Sequence, residues 1–183
     1  IQSAAFYTNV ADTRTDGVEL SGNYQLDLQR WGQLNLNAGV SQNNTKITAL
    51  RDVGNIPGSQ IVGRTTQGLI EDGTPETKLI LSANWLYDGW GVTVSQRRYG
   101  EWKSLNSTNP SLDQTYSPQW VTDLDLSYTF NKTLKVSLGA INLFDTHPDK
   151  AEGAQLYGVP KYSITSPEGA QGAFYYTSVS YDF

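Results

Sequence analysis

The sequence predicts an all-β protein, an antiparallel transmembrane β-barrel. Three observations support this fold class: apolar and polar residues alternate in long runs, tight turns alternate with long connections, and aromatic residues lie at both ends of the apolar runs. The runs are about nine to eleven residues long, which is what a tilted strand needs to cross a bilayer, whereas strands of soluble proteins average about five or six.

The alternation is clearest in the first long run. Val18, Leu20 and Tyr24 share one face there, and Glu19 and Gln25 share the other. Equivalent runs follow at 34–41, 78–87, 90–96, 120–130, 134–140 and 175–183, and a less regular run occupies 1–9. We therefore expect about eight antiparallel strands, and we find no helix with convincing caps.

The predicted connections are of two kinds. Those at 29–33, 88–89 and 131–133 are tight, whereas those at 42–75, 97–119 and 144–172 are long. Asp88-Gly89 predicts a type I′ turn that pairs Tyr87 with Trp90, and Gly32 suits the left-handed position of a hairpin that pairs Leu28 with Leu34. Short turns at one end and long loops at the other are typical of outer-membrane barrels, whose short turns are periplasmic.

Charge and composition exclude several function classes. The formal net charge is -5, which disfavours nucleic-acid binding, and the cysteine count of 0 removes disulfides and thiolate metal sites. The strand charges considered all fall on the polar face: Glu19, Asp27, Lys78, Asp123, Asp125, Lys135 and Asp182. A soluble barrel would show the same charge pattern, so the aromatic residues at both ends of the apolar face are what favour a membrane barrel.

Few residues suggest chemistry. Asp123 and Asp125 point the same way along one strand, about 7 Å apart. We expect them to line the lumen and to pair with basic groups, not to act in catalysis. His147 is the only histidine, so no metal site and no cofactor is expected, and the protein is not predicted to be an enzyme.

A basic and aromatic cluster is the candidate ligand-binding site. It comprises Arg97, Arg98, Tyr99, Trp102 and Lys103, at the start of a predicted long loop. Arginine and aromatic side chains suit an anionic, planar chelate such as a catecholate. An aromatic girdle with a charged loop base is the alternative interpretation, and from sequence it is favoured over binding.

Three segments resemble one known family. The segment Thr-Asp-Gly-Val-Glu-Leu at 15–20, the segment Ile-Asn-Leu-Phe-Asp at 141–145 and the end of the chain at 175–183 are similar to motifs of TonB-dependent outer-membrane receptors, in order and across nearly the whole chain. In that family the last segment is a barrel-assembly signal, carried here by Tyr175, Val179, Tyr181 and Phe183. Asp182 departs from the basic residue that is commoner at its position.

The resemblance implies a 22-stranded barrel with a plug in its lumen. Residues 1–183 would then be the C-terminal segment of the barrel, about its last eight strands, without the plug and the N-terminal strands. It further implies a receptor in the outer membrane of a Gram-negative bacterium that takes up a scarce nutrient, by family frequency a ferric siderophore. The implied partners are outer-membrane lipid, the TonB energy-transducing complex and a small-molecule chelate.

Three other functions stay open from the sequence. The first is a small standalone barrel of about eight strands with a structural or adhesive role. The second is a membrane-embedded hydrolase, which would have to use His147. The third is a soluble lipocalin-like binder, whose apolar residues would face inward.

Overall fold

The computed structural model describes residues 8–152 and 161–183, which form one large antiparallel sheet with small additions at one end. The strands within these ranges are β1 Ala11–Asp27, β2 Gln33–Leu50, β3 Thr77–Tyr87, β4 Trp90–Tyr99, β5 Trp102–Ser104, β6 Gln114–Tyr116, β7 Gln119–Phe130, β8 Leu134–Ile141 and β9 Phe174–Tyr181. Seven of them pair in the order β1-β2-β3-β4-β7-β8-β9, and β5 pairs with β6 in a separate hairpin.

Seven of the predicted strands are confirmed, each next to its neighbour in the sequence. Of the remaining predicted strand, at 1–9, residues 1–7 lie outside the described residues. Every pairing in the large sheet is antiparallel, as tight turns and long return loops require.

The first hairpin is longer than expected. β1 has 17 residues and β2 has 18, so the prediction that a connection begins at residue 42 is wrong. The extra residues are rich in Asn and Thr, which suggested a loop, but they pair across the hairpin up to Ala11 opposite Leu50. The Thr15 and Thr45 hydroxyls, for example, lie 2.8 Å apart. These strands exceed the length that a bilayer crossing needs, so one end of the hairpin projects beyond it.

The tight turns differ in how well the sequence predicts them. Asp88 and Gly89 have φ values of 44° and 82°, and Tyr87 pairs with Trp90, which confirms the predicted turn. Gly32 is left-handed as expected, with φ 87°, but Leu34 pairs with Leu26 and not with Leu28. The pairing differs because the Leu28 N–H donates to the Gly32 carbonyl (2.8 Å), which places Leu28 inside the turn.

Two short helices, absent from the prediction, lie in the first long connection. They are α1 Gly58–Ile61 and α2 Arg64–Glu71, and neither has a side-chain cap at its N-terminus. Tertiary contacts hold α2 instead. Glu71 accepts the Ile47 N–H at 2.8 Å, and a Cβ on Gly68 would lie 2.5 Å from Leu105 Cγ. No helix among the described residues is long and apolar enough to cross a membrane.

The register gives the large sheet two faces of opposite polarity. Leu20, Val40 and Leu79 lie side by side on what we call the apolar face. On the other side, the polar face, Asn84 hydrogen-bonds to Asn35 at 3.5 Å and to Thr93 at 2.8 Å. Amide and hydroxyl side chains thus form hydrogen bonds from strand to strand across the polar face.

The apolar face covers no hydrophobic core. Leu20 is 69% exposed, Leu81 and Leu126 are each 38% exposed, and Val179 is 66% exposed. No large side chain of the described residues is fully buried. A soluble lipocalin-like fold would bury these side chains at its centre, so this sheet by itself is not the wall of a soluble barrel.

The last strand is held in register by an aromatic ring packed on a glycine. Tyr176 of β9 pairs with Gly139 of β8, and a Cβ on Gly139 would lie 2.1 Å from the Tyr176 Cζ. The Tyr176 hydroxyl donates to the Asp125 carboxylate of β7 at 3.0 Å. The ring therefore links three consecutive strands, and only a glycine at 139 leaves room for it.

Substituting Gly139→Ala tests this packing. We expect the added methyl to displace the Tyr176 ring and destabilise the folded barrel by about 1–3 kcal/mol, the usual cost of overpacking. The measurement is the temperature at which the whole receptor loses its heat-modifiable mobility in detergent gels. Gly39→Ala is the matched control, because a Cβ there meets nothing within 4 Å. Equal unfolding temperatures for the two variants would contradict the role of Gly139.

Candidate functional site

An ion pair on the polar face is the centre of the candidate site. The Arg97 guanidinium of β4 donates to Asp123 of β7, with 2.6 Å from Nη1 to Oδ2 and 3.4 Å from Nη2 to Oδ1. Arg97 pairs with Val121 in the register, so Asp123 is its diagonal neighbour on the same face. The expectation that Asp123 pairs with a basic group is confirmed. Asp125, for which the same was expected, instead accepts the Tyr176 hydroxyl.

Asp123 is fixed from a second side by the end of β8. Its Oδ1 accepts the Asn142 N–H at 2.9 Å. Asn142 has φ 53°, a left-handed conformation that Asn tolerates better than most residues. Because one carboxylate binds both an arginine and a backbone N–H, the position of the Arg97 guanidinium depends on three neighbouring strands.

The Ile-Asn-Leu-Phe-Asp segment closes the base of the third long connection. The Asn142 side chain accepts the Thr146 N–H at 2.9 Å and donates to the Thr146 carbonyl at 2.8 Å and to the Gln171 carbonyl at 3.3 Å. Asp145 accepts the Ala173 N–H at 2.8 Å. The two polar residues of the motif thus tie the start of this loop to its return, which gives the motif a structural role.

A second carboxylate reaches Arg97 from that returning loop. Glu168 Oε1 lies 3.7 Å from Arg97 Nε, and the Glu168 side chain is 15% exposed. Burial raises the pKa of Glu168, while Arg97 acts to lower it. The pair borders a cavity on the polar face, whose other walls include Val121, Ile141 and Phe174.

The five sequence-predicted binding residues do not converge on one site. Arg97, Arg98 and Tyr99 belong to β4, not to a loop, so they alternate between faces. Arg97 and Tyr99 lie on the polar face. Arg98 lies on the apolar face, with its guanidinium carbon 6.0 Å from the Trp120 ring centre. Arg98 is therefore a charged residue on the apolar face, unlike the charged strand residues that the sequence places on the polar face.

The other two predicted binding residues belong to the small hairpin. Trp102 of β5 is buried and stacks on Tyr116 of β6, with ring centres 4.0 Å apart and planes within 2° of parallel. Burial raises the pKa of Tyr116. The Lys103 N–H donates to the Asp72 carbonyl at 2.8 Å, which joins the hairpin to the end of α2. This stack was missed because the partners lie on opposite sides of a connection.

The three long connections are linked into what we call the loop layer, comprising 51–76, 100–118 and the described parts of 142–173. Arg64 of the first donates to Asp113 of the second at 2.6 Å. Gln114 of the second donates to the Lys150 carbonyl of the third at 2.7 Å. The hydrogen bond from Arg64 lowers the pKa of Asp113 to about 2. We call Arg97, Asp123, Asn142 and Glu168 the Arg97 cluster. The loop layer and the Arg97 cluster lie toward the same end of the sheet.

The remaining sequence candidates are placed as follows. The His147 ring nitrogen Nδ1 lies 2.8 Å from the Asp145 carbonyl oxygen, and the ring stacks on Tyr162 at 5.1 Å. The described residues contain no group of three or more potential metal ligands. In the terminal segment Tyr175, Val179 and Tyr181 share one face of β9, and Phe183 lies 5.1 Å from the Tyr181 ring in an edge-on arrangement. Their role as a barrel-assembly signal stays a prediction.

An open antiparallel sheet with one exposed apolar face, one polar face and long loops at one end defines part of a transmembrane β-barrel wall. A family model described as TonB dependent receptor-like, beta-barrel, matches residues 2–143, most of the chain. The chain therefore belongs to the TonB-dependent receptor family. This family consists of receptors and transporters.

Solved structures of such barrels share the fold. The copper transporter OprC is 18% identical to this chain, with a TM-score of 0.59. The match covers 96% of this chain and 24% of OprC. The ferric-catecholate import receptor Fiu from K12 E. coli is 19% identical, with a TM-score of 0.57. The match covers 94% of this chain and 21% of Fiu.

A mutant of the ferric enterobactin receptor PfeA from Pseudomonas aeruginosa is 20% identical, with a TM-score of 0.55. The match covers 89% of this chain and 22% of PfeA. The chain thus spans about a fifth to a quarter of the length of these structures. No curated protein sequence matches the chain.

Asp113→Asn tests the link between the first two connections. Because the pKa of Asp113 is lowered to about 2, the ion pair with Arg64 is present at neutral pH and is lost only as pH falls through that value. We expect faster hydrogen exchange in 100–118 for the variant than for the wild type, both at neutral pH and at about pH 4, where an ordinary aspartate is half protonated.

Each comparison is made at one pH, so the intrinsic exchange rate cancels. Asp16→Asn is the control, because its Arg14 partner and Asp16 itself are both exposed and lie outside the loop layer. A difference between wild type and Asp113→Asn that has vanished by about pH 4 would contradict the lowered pKa.

Proposed function

We propose that this chain forms part of an active-uptake receptor in the outer membrane of a Gram-negative bacterium. In this proposal the TonB complex energises the receptor through a plug domain outside this chain, and the cargo is a small metal chelate, a ferric siderophore. The observation that carries the proposal is the position of the Arg97 cluster, on the polar face beside the loop layer.

The exposed apolar face supports the membrane location. Moving such a face from water into lipid is favourable by a free energy of about 25 cal/mol per Å² of apolar area. Trp90 and Tyr128 pack 4.8 Å apart near the tight turns, and Trp120 lies toward the loops. Aromatic rings at both borders of an apolar band are typical of barrels embedded in a bilayer. The polar face then lines the interior.

The side chains of this chain favour an anionic iron chelate over a bare copper ion. The sequence contains no Met and no Cys and has a single His, so it lacks the soft ligands that bind copper directly. Arg97 and Tyr99 offer a guanidinium and an aromatic ring on the interior face, which suit catecholate groups. Among the structural neighbours, Fiu is described as a ferric-catecholate import receptor and PfeA as a ferric enterobactin receptor.

We assign the five proposed binding residues to different positions in the receptor. Arg97 and Tyr99 would contact cargo from the barrel interior, and Trp102 and Lys103 would contribute through the hairpin of the loop layer. Arg98 lies beside Trp120 on the apolar face, so we place it at the membrane border. We further propose that Tyr175, Val179, Tyr181 and Phe183 form the barrel-assembly signal, and that the chain has no catalytic role.

Arg97→Ala in the whole receptor tests the cargo site. Loss of charge-assisted hydrogen bonds to an anionic chelate costs about 1.5–3 kcal/mol, so we expect ferric tris-catecholate to bind about 10- to 100-fold more weakly. Arg98→Ala removes the same charge one residue away, on the opposite face, and should change affinity less than about twofold. Affinity is measured by quenching of intrinsic fluorescence, and uptake with radioactive iron.

Two results would contradict the proposal. Equal losses for the two variants would show that the interior face does not select the cargo. A receptor that took up free copper but no ferric chelate would exclude the siderophore.

A further inference from the structure

Arg97 is paired unequally with its two carboxylates. Asp123 holds two of its nitrogens, with the shorter contact at 2.6 Å, and is itself fixed by the Asn142 N–H. Glu168 comes no closer than 3.7 Å to Nε, which is beyond hydrogen-bond length. Asp123 therefore fixes the position of the guanidinium, and Glu168 interacts with it more weakly.

Glu168 is poorly satisfied where it lies. Its side chain is 15% exposed, and its buried Oε1 atom has no hydrogen-bond partner among residues 8–152 and 161–183. The Ser166 hydroxyl two residues earlier is also buried, and it too lacks a partner within the described part of the chain. Buried polar atoms left unpaired cost free energy, so this placement of the segment 163–169 is one that a better partner for Arg97 can displace.

The segment that carries Glu168 is built from two short turns. The Ser166 N–H donates to the Ser163 carbonyl at 3.2 Å, and the Gly169 N–H donates to the Ser166 carbonyl at 2.9 Å. Gly169 has φ 70°, and a Cβ there would meet nothing within 4 Å. Among the described residues, the backbone hydrogen bonds of the segment lie within it, and its link to the small hairpin is the contact of Ser163 with Tyr116, so few contacts oppose its movement as a unit.

The cavity beside this pair has the chemistry of an aryl-anion site. Arg97 supplies the positive charge, Val121 is buried in its wall, and Phe174 and Ile141 expose 59% and 45% of their surfaces. An aromatic ring bearing an anionic oxygen matches a guanidinium beside apolar walls. At present the negative charge nearest the free edge of Arg97 is the Glu168 carboxylate.

We propose that Glu168 is a built-in competitor for the Arg97 subsite, and that an aryl carboxylate or catecholate group of the cargo displaces it and releases 163–169. The inference deepens the proposed function and rests on it for the identity of the cargo. Glu168 is accordingly a specificity-determining residue. It occupies the guanidinium until a ligand of the same charge replaces it, so ligands without an anionic group gain nothing by displacing it.

Glu168→Gln in the whole receptor tests the competition. The substitution keeps the shape of the side chain and removes its charge, so we expect metal-free 2,3-dihydroxybenzoate and its ferric complex to bind about fivefold more tightly, because the binding-competent state is more populated. Glu152→Gln removes the same charge elsewhere in the same connection and should leave both affinities unchanged. In an Arg97→Gln background, Glu168→Gln should have no effect on affinity.

Hydrogen exchange without ligand provides the independent readout. We expect 163–169 to exchange faster in Glu168→Gln than in the wild type, and 2,3-dihydroxybenzoate to produce the same acceleration in the wild type. Unchanged exchange in ligand-free Glu168→Gln, or probe affinity that is unchanged or weaker, would overturn the inference. If the aryl anion accelerates exchange but ferric catecholates are not taken up, the subsite stands and the proposed cargo fails.

Discussion

The structure depends on one constraint: a sheet with an apolar face and a polar face must have a different medium on each side. The described strands pair in register, so side chains such as Leu126 and Ser127 are committed to opposite faces by their position alone. No packed core competes for the apolar side chains, because no large side chain of the described residues is fully buried. Burial in lipid is the remaining way to remove that face from water.

The same alternation places the candidate chemistry. Because strand residues alternate, Arg97 and Arg98 are adjacent in sequence but separated by the thickness of the sheet. Arg97 is thereby directed to the face where Asp123 and the backbone of Asn142 hold it, and Arg98 to the face where Trp120 lies beside it. The sheet thus places one of two adjacent arginines on the polar face and the other on the apolar face, and only the first can contact cargo in the proposed function.

Local patterns predicted most of the sheet, because strand alternation and turn residues act over short distances. Asp88-Gly89 specifies its turn by itself, and the strand of Val18, Leu20 and Tyr24 needed no distant partner to be recognised. The end of β2 was missed because its Asn and Thr residues are typical of a loop, and only their pairing with β1 makes them part of a strand. Misplacing the end of β4 had a larger effect, since it grouped Arg98 with Arg97.

The site itself could be predicted only in part. The pairing of Asp123 with a basic residue was predicted from its face, but the approach of Glu168 depends on a loop that returns from far along the chain. The resemblance marked Asn142 and Asp145 without giving their physical role, which is to tie the two ends of that loop. Tertiary contacts of this kind leave no local periodicity in a sequence.

The medium at each face can be measured directly. This chain contains no cysteine, so Leu126→Cys and Ser127→Cys each offer one labelling position for a nitroxide within it. Accessibility to oxygen and to a water-soluble nickel chelate is then measured for the whole receptor in bilayers. We expect the label at 126 to be oxygen-accessible and shielded from nickel, and the label at 127 to show the lower ratio of oxygen to nickel accessibility. The reverse order would contradict the assignment of the two faces.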